Sequence, residues 1–329
     1  MYKILCPERI EKKGEEYLLK RGYHVVTCNS CDQETIKREI IDADAAIVRF
    51  GSDFNAAVLE AGKKLKVVAR HGVGYENIDV ETAEKLGIYV TNAKASNANA
   101  VAEHAMTLIL LLAKYIPKFK CTLESGRWND RFSVKTEELQ GKKLGIIGFG
   151  ANGSRLAQKA HLGLGMEIIG YDPYLDYTKM PSYIEGLMSA EDVFRQADVV
   201  SMHCPLNEST RYYVAARELE MMKPTAYVIN CARGGLVKEE DLYQALVNKT
   251  IAGAALDVYE QEPPCPNSPL FKLDNFFGTL HQAGMTVSAS DACALYAAAS
   301  VDDVLNGRKP KYPVNEPNEK LFQERKNAK

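Results

Sequence analysis

Short apolar runs alternate with amphipathic stretches along the first ninety residues of the chain. The runs YKILC, HVVT, AAIVRF, KVVAR and IYVTN have the length of buried strands. The stretches between them carry apolar residues at helical spacing; one ends near Gly22, and two others begin near Gln33 and Ala56. Because strands that alternate with helices are typical of a parallel sheet, this pattern predicts a doubly wound α/β unit.

The same alternation starts again at KLGIIGFG. Further apolar runs follow in MEIIGYD, DVVSMHC, AYVINCA, IAGAALDV and NFFGTL, with amphipathic stretches between them. This second series predicts a second parallel sheet with its own helices.

A long apolar stretch joins the two series. From Asn97 to Tyr115, Ala, Leu, Met and Ile recur at helical spacing, and Pro117 is predicted to stop the helix. The alanine-rich segment DACALYAAASVDDVLNG predicts a helix that ends at Gly307, and we expect it to pack on the first unit. The predicted domains are therefore residues 1–98 with 285–329, and an inserted domain of residues 99–284.

Length and charge narrow the class of protein. A chain of 329 residues suggests about two domains, since one core rarely grows beyond roughly 250 to 300 residues. A net charge of −2 gives no basic face, so we expect no nucleic-acid partner. The longest apolar stretch, residues 105–113, is too short to cross a bilayer, and the N-terminus lacks the apolar region of a secretory signal. We therefore predict no membrane partner and a cytoplasmic location.

The eight cysteines are scattered along the chain. Cys28 and Cys31 form the only CxxC motif, and neither a second pair at zinc-like spacing nor a Cys/His cluster accompanies it. The sequence therefore predicts reduced thiols and no metal, and redox or metal use of the CxxC pair is the alternative.

A glycine-rich loop follows the first strand of the second series. Gly148, Gly150 and Gly153 come between the apolar residues 144–147 and the amphipathic stretch SRLAQKAHLGL. The three glycines permit a tight turn, a close approach of backbone to a pyrophosphate, and packing of the helix on the sheet. Asp172 ends the next predicted strand, where an acid can accept hydrogen bonds from a ribose diol and repel a 2'-phosphate.

These features predict NAD as the cofactor, although enzymes that bind S-adenosylmethionine share this type of loop. The fold class is therefore α/β with two doubly wound parallel-sheet domains: a flavodoxin-like substrate domain and an inserted Rossmann NAD-binding domain.

Three later strands are followed by groups that suit hydride chemistry. Arg233 follows AYVINCA, Glu262 follows IAGAALDV, and His281 follows NFFGTL. The guanidinium of Arg233 can hold a substrate carboxylate, and His281 can exchange a hydroxyl proton near neutral pH. Glu262 can orient the imidazole and favour its protonated form. Each residue taken singly has a competing interpretation: a surface ion pair for Arg233, a solvated loop acid for Glu262 and a structural histidine for His281.

With these motifs in place, the chain resembles the D-isomer-specific 2-hydroxyacid dehydrogenases, and within them the phosphoglycerate dehydrogenase-like members. The segments GFGANG with YDP, SMHCPLNEST, INCARGGLV, ALDVYEQEPP and LHQAG match family motifs in order, over nearly the whole length. Two positions depart from the family pattern. Leu280 replaces the usual proline before His281, and TVSAS lacks the acid often found after Thr286.

The resemblance implies an enzyme that passes a hydride between NAD(H) and a D-2-hydroxy acid or 2-oxo acid, with Arg233, Glu262 and His281 as catalytic residues. It also implies that Asp257 contacts the carboxamide of the cofactor, that Val73 and Gly74 offer backbone groups to the substrate carboxylate, and that the protein is a homodimer joined partly through the connecting helix. The further cofactor contacts expected within the matching motifs are Gly148, Gly150, Asn152, Gly153, Asp172, His203, Cys204, Pro205, Thr210, Cys231 and Ala232.

Two more cations bear on the choice of substrate. Arg49 and Arg70 end neighbouring predicted strands of the first unit, and together they suggest an anionic distal group. The best guess is therefore 3-phosphoglycerate. Pairing of these arginines with a local acid such as Asp53 or Glu76 is the alternative, and it leaves hydroxypyruvate, glyoxylate or another 2-oxo acid open.

Two residues at the start of the connecting helix remain ambiguous. Asn97 is counted as a substrate contact, but helix capping explains it equally well, and His104 is open between substrate contact and packing. Two related proteins offer other functions. An NAD(H)-sensing corepressor-like binding protein of the same fold is the alternative function, whereas formate dehydrogenase carries glutamine where this chain has Glu262.

Overall fold

The structure is a computed structural model, and it describes residues 1–132, 135–187 and 189–327. The chain forms two compact units. The first comprises Met1–Asn97 and Met285–Lys329, and the second comprises Ala98–Gly284.

The first unit contains a parallel sheet of five strands in the order β2-β1-β3-β4-β5. Its strands are Lys3–Cys6 (β1), His24–Thr27 (β2), Ala45–Val48 (β3), Val67–Arg70 (β4) and Tyr89–Thr91 (β5). This order is that of the flavodoxin-like folds.

The second unit contains a parallel sheet of seven strands in the order β12-β11-β10-β9-β6-β7-β8. Its strands are Lys143–Ile147 (β6), Glu167–Tyr171 (β7), Ile184–Gly186 (β8), Val199–Met202 (β9), Tyr227–Asn230 (β10), Gly253–Leu256 (β11) and Phe276–Gly278 (β12). The strand order reverses between β6 and β9, as in a Rossmann fold, so the predicted fold class is confirmed. The short edge strand β8 was not predicted, because only its first residue is buried.

Helices cover both sheets. In chain order they are Lys12–Leu19 (α1), Gln33–Ile40 (α2), Ala56–Ala61 (α3), Val80–Lys85 (α4), Ala98–Ala113 (α5), Ile116–Glu124 (α6), Ala151–Leu164 (α7), Ala190–Gln196 (α8), Ala216–Met221 (α9), Glu239–Val247 (α10), Val287–Leu305 (α11) and Glu319–Asn327 (α12). Two of them differ from the sequence-based expectation. Pro117 lies in the first turn of α6, where a proline is tolerated, instead of ending α5, and part of the polar C-terminal segment forms α12.

The alanine-rich helix α11 packs in the first unit, on α1 and on strands β3 and β4. Small side chains allow this close approach. A Cβ added to Gly14 of α1 would lie 2.8 Å from the Cβ of Ala294. The buried faces of Ala297, Ala298 and Val301 complete this layer of the core.

Among the described residues, no single helix is long and apolar enough to cross a membrane. Only α5 and α6 together reach that length and apolar character, and they are bent by 57° relative to each other. In the same described part of the chain, no group of three or more His, Cys, Asp or Glu side chains is arranged to hold a metal ion. The cysteines are free thiols, and burial raises the pKa of Cys28 in the CxxC motif.

Candidate active site

The glycine-rich loop after β6 is folded tightly against its neighbours. Gly148 has a φ of 96°, and a Cβ at this position would lie 2.8 Å from the backbone nitrogen of Cys204. A Cβ at Gly153 would lie 2.1 Å from the carbonyl oxygen of Gly148. Glycine at these two positions therefore lets the first turn of α7 pack directly on the loop.

The N-terminus of α7 is open on the side of the loop. Gly150 directly precedes the helix, and an added Cβ there would meet no atom within 4 Å. Asn152 lies in the first turn, whose backbone N–H groups have no partner within the helix. Because such a helix start favours phosphate groups, the loop fits the pyrophosphate of a dinucleotide.

Asp172 follows β7 and braces the same loop. Its Oδ2 accepts a hydrogen bond from the Phe149 N–H at 2.9 Å, and its Oδ1 accepts one from the Tyr174 N–H at 3.0 Å. A carboxylate offers about four lone-pair sites, so these two bonds leave acceptor capacity for a ribose diol. The structure thus gives Asp172 a role in shaping the loop that the motif alone did not show.

The segment after β9 carries four of the predicted cofactor contacts. The His203 N–H donates to the Ile147 carbonyl at 2.8 Å, which ties this segment to the strand before the glycine loop. Burial raises the pKa of Cys204 to about 11, so its thiol stays protonated near neutral pH. The Thr210 hydroxyl donates to the Pro205 carbonyl at 2.7 Å and closes the turn.

The turn after β10 presents Arg233. Asn230, the last residue of β10, is fully buried, and its side chain accepts from the Ala232 N–H at 3.0 Å and donates to the Arg233 carbonyl at 2.8 Å. The Arg233 guanidinium donates to the Ala232 carbonyl at 2.7 Å. The preceding Cys231 is buried, and burial raises the pKa of its thiol. Asn230 therefore fixes the backbone from which Arg233 extends.

Glu262 and His281 form a hydrogen-bonded pair. Oε2 of Glu262 lies 2.6 Å from Nδ1 of His281, and Oε1 accepts a hydrogen bond from the Tyr259 N–H at 3.0 Å. Burial alone would raise the pKa of Glu262, but the bonds from His281 and Tyr259 and the charge of Arg233 bring that pKa below its usual value. An ionised carboxylate next to the imidazole stabilises the protonated form of the ring.

The loops that carry Arg233 and Glu262 are packed closely together. A Cβ at Gly234 would lie 1.8 Å from the Tyr259 carbonyl oxygen, so only glycine permits this approach. The three predicted catalytic groups thus follow β10, β11 and β12, which are neighbours in the sheet. The carboxyl ends of adjacent parallel strands are where doubly wound sheets bind their ligands.

Asp257 anchors the loop that carries His281. Its carbonyl accepts a hydrogen bond from the His281 N–H at 2.7 Å, and its fully buried carboxylate accepts bonds from the N–H groups of Gln282 at 3.0 Å and Ala283 at 2.8 Å. The Thr279 hydroxyl also donates to this carboxylate, at 2.5 Å. These bonds hold His281 in a left-handed conformation with a φ of 52°.

Several residues of this arrangement were not assigned a role from the sequence. His104 on α5 lies with Nε2 3.0 Å from the Thr279 hydroxyl and 3.6 Å from Oδ1 of Asp257, so it has a structural contact within the second unit, and its contact with substrate stays a prediction. Thr279, Asn230 and Tyr259 were missed. The available signal was that each is a polar residue at or just beyond the end of an apolar strand.

Apart from Asn97, the predicted substrate contacts of the first unit lie at or just beyond the carboxyl ends of β3 and β4. Arg49 donates to Oε1 of Glu11 and to the Arg9 carbonyl, each at 3.1 Å. Arg49 therefore pairs with Glu11, an acid that the sequence analysis did not name beside Asp53 and Glu76. The other carboxylate oxygen of Glu11 forms a short hydrogen bond with Nε2 of His71.

Arg70 is buried, with 8% of its surface exposed. Its Nη1 donates to the His71 carbonyl and, at 3.4 Å, to the Val48 carbonyl, whereas its buried Nε meets no acceptor among the described residues. The guanidinium thus supports the loop that continues through Gly72, which has a φ of 144°, to Val73 and Gly74.

The rest of that loop is tied to the segment after β5. The Asn92 side chain donates to the Val73 carbonyl at 2.7 Å, and the Ala93 N–H donates to the Gly72 carbonyl at 2.8 Å. Asn97 is half-buried and directly precedes α5. The structure thus places every predicted residue of the first unit at the carboxyl edge of its sheet or at the end of the unit.

The fold and the site define a class of protein: two parallel α/β units, one of which has a dinucleotide loop and an acid–base pair near a guanidinium. The sequence model described as D-isomer specific 2-hydroxyacid dehydrogenase, NAD binding domain, matches residues 106–283, which is more than half of the chain. The chain belongs to the D-isomer-specific 2-hydroxyacid dehydrogenase family, as the motifs indicated.

Comparison with individual proteins agrees with this assignment. The chain is 40% identical to D-3-phosphoglycerate dehydrogenase of Methanocaldococcus jannaschii over 97% of its own length, and it spans 60% of that relative. It is 36% identical to hydroxypyruvate reductase of Thermotoga maritima over 88% of its own length and 93% of that relative. Among solved structures, NAD+-bound 3-phosphoglycerate dehydrogenase of Entamoeba histolytica aligns with a TM-score of 0.80 and 26% identity, over 96% of this chain and 99% of that one.

Proposed function

We propose that this protein is an NAD-dependent oxidoreductase that interconverts a D-2-hydroxy acid and the corresponding 2-oxo acid. The observation that carries the proposal is the pairing of Glu262 with His281 at 2.6 Å, next to Arg233 and in the same unit as the dinucleotide loop. NAD(H), when bound, supplies or accepts the hydride.

His281 acts as the general acid and base. In the direction of reduction, its Nε2 donates a proton to the carbonyl oxygen of the substrate, and in oxidation the same atom takes the hydroxyl proton. Glu262 fixes the proton on Nδ1 and stabilises the positive charge of the ring. Arg233 binds the substrate carboxylate with its fork of N–H donors and polarises the adjacent carbonyl.

NAD is the proposed form of the cofactor, because the carboxylate of Asp172 would repel the 2'-phosphate of NADP. The open helix start at Gly150 is the proposed pyrophosphate site. We propose that Asp257 chiefly anchors the loop that carries His281. Its contact with the carboxamide of the cofactor stays a prediction.

The names of the relatives suggest two substrates, namely 3-phosphoglycerate and hydroxypyruvate. The two arginines of the first unit make 3-phosphoglycerate the best guess. The pairing of Arg49 with Glu11 favours hydroxypyruvate, because that arginine already has an acidic partner.

A homodimer is also part of the proposal. The segment around α6 exposes four large apolar side chains, Ile116 at 49%, Leu123 at 62%, Trp128 at 63% and Phe132 at 76%. Exposed apolar surface of this kind marks interaction sites, and family members are commonly dimers. Light scattering after gel filtration tests the assembly; the cytoplasmic location stays a prediction that cell fractionation tests.

A spectrophotometric screen at 340 nm tests the proposed reaction. The purified protein is mixed with NADH or NADPH and with phosphohydroxypyruvate, hydroxypyruvate, glyoxylate, pyruvate or longer 2-oxo acids. We expect oxidation of NADH in preference to NADPH with at least one acid. Binding of NADH without turnover of any acid would instead favour the corepressor-like alternative.

A further inference from the structure

Tyr259 is a buried residue in the segment after β11, and the proposed reaction does not use its side chain. Its hydroxyl donates to the Thr279 carbonyl at 2.8 Å, and the Leu256 carbonyl lies farther away, at 3.3 Å. Burial raises the pKa of Tyr259 to about 12, so the hydroxyl keeps its proton near neutral pH. A phenol has one proton to donate, and the nearer acceptor belongs to the segment that leads to His281.

The sequence around the ring makes room for this hydroxyl. The ring of Tyr259 meets that of Phe271 edge to face, with the centroids 5.7 Å apart. A Cβ added to Gly278, the last residue of β12, would lie 2.5 Å from the hydroxyl oxygen. Glycine at position 278 therefore leaves the space in which the hydroxyl reaches the Thr279 carbonyl.

The backbone of Tyr259 contacts the other two loops of the candidate site. Its N–H donates to Oε1 of Glu262 at 3.0 Å. Its carbonyl oxygen would lie 1.8 Å from a Cβ at Gly234, the residue after Arg233. Tyr259 thus touches the loops of all three proposed catalytic residues, and its side chain is the part that reaches the loop of His281.

The segment before His281 depends on hydrogen bonds for its position. Leu280 is 82% exposed, so packing of its side chain does not hold this segment. The Thr279 N–H donates to the Leu256 carbonyl at 2.9 Å, and the Tyr259 hydroxyl fixes the carbonyl of the same residue. Because a peptide group is planar, a bond to the Thr279 carbonyl also orients the N–H of Leu280.

From these contacts we propose that Tyr259 is a positioning residue, whose hydroxyl holds the segment of His281 at the place where the imidazole meets Glu262. The inference rests on the proposed function, because the acid–base role of His281 is part of that function. The backbone contacts of Tyr259 do not depend on its side chain. A substitution by phenylalanine therefore removes the hydroxyl bond and keeps the rest.

The first test compares Tyr259→Phe with the wild type, using NADH and the 2-oxo acid that the wild type reduces fastest. We expect kcat to fall about tenfold, because the imidazole is held less firmly at the distance needed for proton transfer. The affinity for NADH and the KM for the acid should stay within about twofold of the wild type, since Arg233 and the glycine-rich loop keep their contacts.

Tyr227→Phe is the matched control. Tyr227 is as buried as Tyr259, with 6% of its surface exposed, and its hydroxyl forms a hydrogen bond with Tyr115. It is the first residue of β10, so it lies at the amino edge of the sheet, away from the candidate site. Each substitution removes one buried hydroxyl, so both should lower Tm to a similar extent, whereas only Tyr259→Phe should lower kcat.

Gly278→Ala perturbs the same hydroxyl while Tyr259 stays in place. The new methyl group would lie 2.5 Å from the hydroxyl oxygen, so it should displace that oxygen from the Thr279 carbonyl and lower kcat about tenfold. In the double variant with Tyr259→Phe the oxygen is absent. Gly278→Ala should then lower kcat by at most about a further twofold.

Three results would overturn the inference and leave the proposed function intact. They are a folded Tyr259→Phe protein with kcat within about twofold of the wild type, equal losses of kcat in Tyr259→Phe and Tyr227→Phe, and fully additive losses in the double variant. If Tyr259→Phe does not fold, wild-type kcat in Gly278→Ala refutes the inference in its place. A wild type that oxidises NADH with none of the acids would instead refute the proposed function, and the inference with it.

Discussion

The hydrogen bond between Glu262 and His281 predicts that the substitution Glu262→Gln affects the two directions of the reaction differently. In Glu262→Gln, the side-chain oxygen must remain at the position of Oε1, because it accepts the hydrogen bond from the Tyr259 N–H at 3.0 Å. The amide NH2 group then faces Nδ1 of His281, where the carboxylate oxygen now lies at 2.6 Å. An amide that donates to Nδ1 favours the tautomer with its proton on Nε2.

This change should impair oxidation more than reduction. Oxidation needs Nε2 without a proton, ready to accept one from the substrate hydroxyl, and the altered tautomer blocks that acceptor. Reduction still finds a donor at Nε2, but without the neighbouring carboxylate the ring is less readily protonated. We expect kcat for oxidation to fall about 100-fold, and reduction to fall about tenfold at neutral pH.

The size of the loss in reduction follows from the geometry of the pair. Two unit charges about 4 Å apart interact by roughly 4 kcal/mol at an effective dielectric constant of about 20. The side chain of His281 is 41% exposed, and solvent screening reduces this interaction to about 1–2 kcal/mol, which corresponds to about tenfold in rate.

The assay follows NADH absorbance at 340 nm from pH 5 to 10, in both directions. Glu220→Gln, which removes an exposed carboxylate in the same unit, serves as the control and should match the wild type. The reasoning is refuted if Glu262→Gln retains oxidation within about threefold of the wild type.

Three further predictions test the loop, the anchor and the stability of the second unit. Gly153→Ala puts a methyl group 2.1 Å from a loop carbonyl oxygen and should weaken NADH binding at least about tenfold in a fluorescence titration. In the control Gly163→Ala, in the same helix, the new methyl group meets only a side-chain methyl group at 3.5 Å, so equal NADH affinities of the two variants would contradict the prediction. Thr279→Val removes the hydroxyl that donates to Asp257, so kcat should fall about tenfold with NADH affinity kept; an unchanged kcat would argue against an anchoring role. Burial alone would raise the pKa of Asp198, but a lysine 2.8 Å away and a backbone N–H outweigh burial and bring this pKa below its usual value. The ionised carboxylate therefore stabilises the folded protein above about pH 4, and this contribution is lost as the pH falls through the lowered pKa. The difference in Tm between Asp198→Asn and the wild type should therefore shrink below about pH 4; a constant difference would contradict the assignment.

Much of the fold was predictable because parallel strands are buried on both faces. Strands such as Ala45–Val48 and Val67–Arg70 are buried at every residue, which gives the continuous apolar runs seen in the sequence. Ile184–Gly186 escaped prediction because an edge strand with one buried residue leaves no such run. The helix Glu319–Asn327 escaped for a similar reason, since its sequence is mostly charged and polar.

The residues of the candidate site also divide into those that the sequence could predict and those that it could not. The positions of Arg233, Glu262 and His281 after neighbouring strands could be predicted, because these residues follow apolar runs in a chain that also carries a dinucleotide motif. The partner of Arg49 could not be found, because Glu11 lies 38 residues away in sequence, with two helices and two strands between them. Pairing over that distance depends on how the loops after neighbouring strands are placed, and a local pattern carries no information about it.

The anchoring of His281 explains why a carboxylate is buried at the end of an apolar strand. A non-glycine residue with positive φ costs roughly 1 kcal/mol, and such a conformation persists only where surrounding bonds fix it. Asp257 supplies those bonds through its carbonyl and through a carboxylate that accepts from Thr279, Gln282 and Ala283. Loss of Asp257 would therefore displace His281, the proposed general acid, whatever else the carboxylate contacts. A slow Asp257 variant is therefore not by itself evidence of cofactor binding. Thr279→Val weakens the same anchor and leaves the carboxylate in place, and the comparison of the two variants separates positioning of His281 from contact with the nicotinamide.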